Sequence, residues 1–265
     1  MKKMLLITDK NPMSGMFQLA KDIEGDIHSL RFNNPLYRIF PFLDKFNFDG
    51  YDEVITFLYP LHIFGKEAKK QGLRWVCYDN GTPPATETYF PNFWRRQYMK
   101  IFNRLNAQSM QGADEYWDVT EREQKPRWIK KSNDYEELKS YKPYALYLGR
   151  KTDYKNFDWL QKTMKELNIH LQFSNKQHSD EFIHALLSNA KMLVTASLWE
   201  GYGRPIMEAC ALNIPVVCYN VGAHEVNMKK YNNKGICVPL DINNMKKSEE
   251  DFKNAVIKKG DNHFK

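Results

Sequence analysis

Thr195-Ala-Ser-Leu-Trp-Glu200-Gly-Tyr-Gly-Arg-Pro-Ile-Met-Glu208-Ala-Cys-Ala-Leu-Asn-Ile-Pro-Val-Val217 is the stretch whose reading decides the fold. It opens on the end of an apolar run, Met192 to Ala196, that reads as a strand. A loop with Glu200, Gly201 and Gly203 follows, and Pro205 suits the first turn of a helix, where its missing N–H costs nothing. Asn213 stands where that helix should stop, because Asn tolerates the left-handed conformation just past a helix end. Ile214 to Tyr219 then reads as another buried strand. Strand, glycine-bearing loop and helix N-terminus together make an anion site. Free backbone N–H groups and the helix dipole both favour a phosphate there.

Two glutamates set this loop apart from a generic phosphate site. Glu200 lies just before the helix and Glu208 in its first turns. A carboxylate accepts two hydrogen bonds at once, so each suits a pair of neighbouring hydroxyls on a sugar or ribose. The plainer alternative is a helix with a helpful acid near its start.

The surroundings favour the first alternative. Glu200-Gly-Tyr-Gly-Arg-Pro-Ile-Met-Glu208-Ala, followed by Ala211 to Val217, resembles the donor-site signature of retaining GT-B glycosyltransferases of the large group 1 family. The likeness continues through Val221-Gly-Ala-His-Glu-Val226 and Gly235-Ile-Cys-Val-Pro-Leu-Asp241. Upstream it takes in Tyr147-Leu-Gly149-Arg150-Lys-Thr-Asp-Tyr-Lys155-Asn156, so it spans roughly residues 143 to 260. The resemblance implies an α/β chain with two Rossmann-like domains facing across a cleft, the GT-B fold, with a reduced first domain. It implies a hexosyltransferase that moves a sugar from a nucleotide-sugar donor, such as a UDP- or GDP-hexose, with retention and without a cofactor or metal. Arg150 and Lys155 would neutralise the departing diphosphate, and Glu200 would complete the catalytic set. Glu208 would hold the ribose, with Gly201, Tyr202, Gly203 and Arg204 around the donor and Gly15 near its phosphates. Two departures stand out. The histidine that the family often has after the fourth strand is replaced by Tyr78-Asp79, and Asn213 and Val221 replace frequent glycines.

Length and composition agree with a globular chain. With 265 residues, 42% hydrophobic and 27% charged, it can form one large domain or two small ones. Cys77, Cys210, Cys218 and Cys237 show no C-x-x-C pairing and read as buried free thiols. No apolar run approaches the roughly 20 residues of a membrane helix, and the short apolar start does not read as a signal core, so a cytoplasmic chain is expected. The net charge of +7 favours anionic partners: nucleotide sugars, anionic lipid surfaces or nucleic acid. The histidines have no metal-ligand spacing, and neither a P-loop nor a nucleophile elbow is present.

Strands at 3–8, 25–32, 52–58 and 73–78 alternate with helices, which implies a parallel sheet. The segment after the fourth strand carries Asp79, Asn80 and Thr82 and is the acceptor-side candidate, since open α/β sheets bind ligands at strand carboxyl ends. In 91–105, Trp94, Tyr98, Ile101, Phe102 and Leu105 share one helix face. That basic helix either rests on an anionic membrane or packs its apolar stripe on the sheet. Charge-rich 121–141 is expected to be a linker and entry helix, dividing a first domain (1–142) from a second (143–265) whose terminal helix could reach back to the first. The acceptor, whether glycan, lipid or protein, is not named by the sequence. Two other readings remain: a glycosyltransferase modifying nucleic acid, and a non-catalytic nucleotide-sugar-binding scaffold.

Overall fold

The computed structural model describes residues 1–7, 15–29, 46–57, 59–79, 81–120, 124–132, 135, 138, 141–174, 178–261 and 264. They form two compact units. One holds Met1–Glu87 with Pro91–Lys125, the other Thr88–Phe90 with Pro126–Lys265.

The first unit runs β1 (Lys3–Ile7), α1 (Gly15–Lys21), β2 (Asp26–Ser29), β3 (Glu53–Phe57), α2 (His62–Lys70), β4 (Arg74–Asp79), α3 (Phe93–Met110) and β5 (Glu115–Asp118). Its parallel sheet has the order β2-β1-β3-β4-β5. β3 is buried at every position and β4 at its four central ones, as expected of central parallel strands covered on both faces. The polar atoms buried with them satisfy one another. Trp75 Nε1–H donates to Thr56 Oγ1 (2.8 Å), and that hydroxyl lies 2.8 Å from His62 Nδ1. Burial, with Lys66 nearby, pushes the His62 pKa down to about 3, so the imidazole is neutral.

The second unit runs β6 (Ala145–Leu148), α4 (Phe157–Glu166), β7 (Leu171–Ser174), α5 (Asp180–Asn189), β8 (Met192–Thr195), α6 (Arg204–Ala211), β9 (Val216–Tyr219), α7 (His224–Lys230), β10 (Ile236–Val238) and α8 (Met245–Gly260). Its sheet order, β7-β6-β8-β9-β10, repeats the winding of the first. α8 lies on the second sheet, where Phe252 packs against Tyr219 and Trp159 and Lys253 pairs with Glu166 at 2.8 Å. All four cysteines are free thiols. Asn213 has the left-handed φ of 56° that its place past α6 requires.

Three observations stand beside the expectations. The described residues of 121–141 form no entry helix: Arg127, Trp128 and Ser132 spend their polar and aromatic groups on α5 and α6 instead of on a helix of their own. For the same reason the chain from Pro126 groups with the second unit, ahead of the expected division at 142/143. Of the stripe on α3, Trp94, Tyr98 and Ile101 are exposed, while Phe102 and Leu105 are half-buried. Gly15 opens α1, and the loop expected before it lies outside the described residues, as do Asn80 and most of 33–48.

Candidate functional site

In the order β7-β6-β8-β9-β10 the chain winds outward in both directions from β6 and β8, so loops leaving their carboxyl ends flank a crevice in which open α/β sheets bind ligands. The loop after β6 carries Arg150 and Lys155, and the loop after β8 carries Glu200. A backbone bond from Leu198 N–H to Tyr154 O (2.7 Å) ties the two loops. An ion pair between Lys155 Nζ and Glu200 Oε2 then brings two of the expected residues into contact. Tyr154 sits edge-on to both Phe90 (6.0 Å between centroids) and Trp199 (5.8 Å), making an aromatic wall beside that pair. Arg150 is exposed; its carbonyl accepts from Tyr147 Oη at 2.9 Å.

The loop 200–203 is held from the far side by the turn into α7. Ala223 N–H donates to Gly201 O (2.9 Å), and Asn227 Nδ2 donates to the buried Tyr202's carbonyl (3.0 Å). Gly222, at φ +54°, lies so close that a Cβ would stand 2.1 Å from Gly201 O. The glycine requirement therefore falls on Gly222, and Val221 next to it carries none. Gly203 caps α6 in the left-handed region (φ 72°). Beneath it lies His224, fully buried: its Nδ1–H donates to Tyr219 O (2.9 Å), and its Nε2 has no partner among the described residues. A Cβ on Gly203 would meet that ring at 2.6 Å. Burial, above all, holds the His224 pKa below its ordinary value against the opposing pull of Glu200.

Glu208 is fully buried on α6. Arg127 grips both its oxygens, with Nε at 2.7 Å from Oε1 and Nη2 at 2.9 Å from Oε2, and turns Nη1 to Asp180 at 2.7 Å. The Arg127 guanidinium also stacks on Trp128 at 4.1 Å. Burial works against its charge, but the Glu208 and Asp180 carboxylates win and raise its pKa. Arg204 Nε stands 4.0 Å from Glu208 Oε1, so α6 presents one cation and Pro126–Trp128 the other. Arg127 carried no sequence signal, because it lies in a segment without periodicity and 81 residues from its partner. His224 lay inside the quoted motif but had no assigned role.

Candidates in the first unit are placed separately. Asp79 ends β4 and its Oδ1 accepts from Gly81 N–H (2.8 Å), closing a tight turn, while Thr82 is half-buried beside it. Among the described residues no three His, Cys, Asp or Glu side chains are gathered as a metal set.

The family model described as "Glycosyl transferases group 1" matches residues 148–257. That span is similar to a group 1 glycosyltransferase domain. The solved structure of WaaG, a glycosyltransferase involved in lipopolysaccharide biosynthesis, is similar at TM-score 0.56 and 12% identity, over 96% of this chain and 90% of that one. Anabaena Alr3699/HepE in complex with UDP-glucose is similar at TM-score 0.53 and 12% identity, over 98% of this chain and 94% of that one. At such identity the likeness is one of fold, and the fold is that of GT-B glycosyltransferases. No curated protein matches the chain. The matched span contains Arg150, Lys155, Glu200, Gly203, Glu208 and His224 and leaves Arg127 outside.

Proposed function

We propose that the chain is a hexosyltransferase that moves a sugar from a UDP- or GDP-linked donor to an acceptor, with retention of anomeric configuration and without a metal. The observation that carries this reading is the Lys155–Glu200 pair, set on two loops at the switch point beside the N-terminus of α6. The complex of Alr3699/HepE with UDP-glucose supports a donor of the same class. In the reaction the bond between the anomeric carbon and the phosphate oxygen breaks while the acceptor oxygen attaches on the same face, and the acceptor proton passes to the leaving phosphate. Arg150, Lys155 and the N-terminus of α6 would take up the charge that grows on that phosphate. Glu200 would bind sugar hydroxyls, within reach of Gly201 to Arg204, and Glu208 the ribose. Arg127 would keep the Glu208 carboxylate aimed, since a carboxylate oxygen accepts more than one bond.

The test is turnover with stereochemistry. The full chain, given each nucleotide sugar and EDTA, should release the nucleoside diphosphate and give a product whose anomeric proton coupling in NMR matches that of the donor. Inverted product, or activity abolished by EDTA and restored by a divalent cation, would overturn the corresponding part of the proposal. Tight nucleotide-sugar binding without turnover would favour the scaffold reading.

A further inference from the structure

α3 turns the N-terminal part of its apolar stripe outward, while Phe102 and Leu105 are half-buried. Its buried residues are the polar Asn106 and Ser109. Asn106 Oδ1 accepts from Tyr59 N–H (3.0 Å), and Asn103 Nδ2 donates to Pro83 O (3.0 Å). These bonds, with Phe102 edge-on to Tyr59, anchor the helix to its unit. The outward side carries Trp94 at 77% exposure, Ile101 at 56% and Phe93 at 53%, with Tyr98 exposed between them. At 100° per residue Trp94, Tyr98 and Ile101 form one narrow stripe. Singly exposed apolar residues are ordinary; four gathered on the N-terminal half of one helix are a docking surface.

Charge says what docks. From Phe93 to Met110 there is no aspartate or glutamate, while Arg95, Arg96, Lys100 and Arg104 are spread along the helix. Lys100 and Arg104 are exposed and have no acidic partner among the described residues. We infer that this face of α3 docks the protein on an anionic lipid surface. Tryptophan and tyrosine would settle at the headgroup level with Ile101 at the acyl boundary, and the cations would meet lipid phosphates. The helix anchors through Asn103 to the segment that follows β4, so docking would bring the acceptor-side candidates Asp79 and Thr82 near the lipid. Among the described residues no helix is long and apolar enough to cross a membrane, so the contact would be peripheral.

The experiment is sedimentation of the full chain with vesicles of equal parts phosphatidylcholine and phosphatidylglycerol, and with vesicles of phosphatidylcholine alone, in the absence of any nucleotide sugar. The expected result is co-sedimentation with the anionic vesicles only, weakened by salt. Lys100→Gln with Arg104→Gln should bind about 30-fold more weakly. Trp94→Ser with Ile101→Ser should abolish binding while leaving the thermal melt unchanged, since both side chains are exposed. Three results would overturn the inference: no binding of the wild type to anionic vesicles at low salt, variants that sediment like the wild type, or retention by DNA or RNA with none by vesicles. A dimer that Trp94→Ser dissociates would also overturn it, by giving the face to a second copy. No donor is present, so these outcomes are independent of whether the transferase reading stands.

Discussion

The two units are wound alike, 2-1-3-4-5 in local strand order, yet they place their buried charge differently. The first unit buries a neutral set, His62, Thr56, Trp75 and Cys77, whose members satisfy one another inside the sheet and α2, and it keeps the buried Glu53 carboxylate at the amino end of β3, paired with Arg74 (2.6 Å) and Lys3 (3.5 Å). The second buries charge at or near strand carboxyl ends: Glu208 under Arg127, and the half-buried Lys155–Glu200 pair. A neutral buried network asks only to be complete. A buried ion pair costs desolvation that hydrophobic residues would avoid, and such costs concentrate where chemistry needs charge. On the proposed function, the neutral cluster of the first unit would serve stability and the charge near the strand carboxyl ends of the second would serve the ligand.

The strongest way to break that contrast is Arg127→Ala. It removes both short hydrogen bonds to a fully buried carboxylate, leaving only Arg204 at 4.0 Å, and should cost about 3 kcal/mol of stability, read as a fall in urea midpoint. Pairing it with Glu208→Gln should recover much of the loss. If Arg127→Ala is neutral for stability, the buried charge is not what the second unit is built around.

Next in size is Lys155→Ala. If the pair serves the leaving phosphate, kcat should fall by about 100–1000-fold with little change in the melting temperature. Unchanged kcat would return Lys155 to the role of a loop tether.

Acid sharpens the comparison from the other side. The folded pKa of His62, about 3, lies below its ordinary 6.5, so the unfolded chain binds the proton more readily. Stability is then full above pH 6.5 and declines as pH falls towards 3, by up to about 1.4 kcal/mol per pH unit. His224 is shifted in the same direction, so His62→Gln should flatten only part of the slope measured by urea melts at stepped pH. A slope untouched by His62→Gln would contradict the neutral-network account.

The smallest effect is expected at Gly203→Ala, where an L-residue at φ 72° costs about 1–2 kcal/mol. The new methyl also runs into the His224 ring. Nucleotide binding should weaken, and His224→Ala should partly restore it.

Much of this was legible in the sequence. Alternating apolar runs and turn residues placed the strands, and Asn213 announced the end of α6 because few other residues accept its φ. The 200–208 stretch located the loop and helix. Arg127 was not legible: its meaning comes entirely from a contact 81 residues away, and nothing local in 121–141 records it. The orientation of α3 was not legible for a different reason. Periodicity says which residues share a face but not which face looks inward, and two side-chain amides, at Asn103 and Asn106, turn inward here while Trp94, Tyr98 and Ile101 face out. Val221 departs from a frequent glycine, and the close approach to Gly201 falls on Gly222 beside it.

The central claim is that Lys155, Glu200 and Glu208 form a nucleotide-sugar site in the second unit. Calorimetric titration of UDP, GDP and ADP, and of their sugars, into the wild type and into Glu208→Gln and Glu200→Gln tests it most directly. The account predicts that one nucleotide binds the wild type, that Glu208→Gln weakens it at least tenfold, and that Glu200→Gln removes the preference for the sugar-linked form. Wild-type protein that binds none of them, or variants that bind as the wild type does, would contradict it.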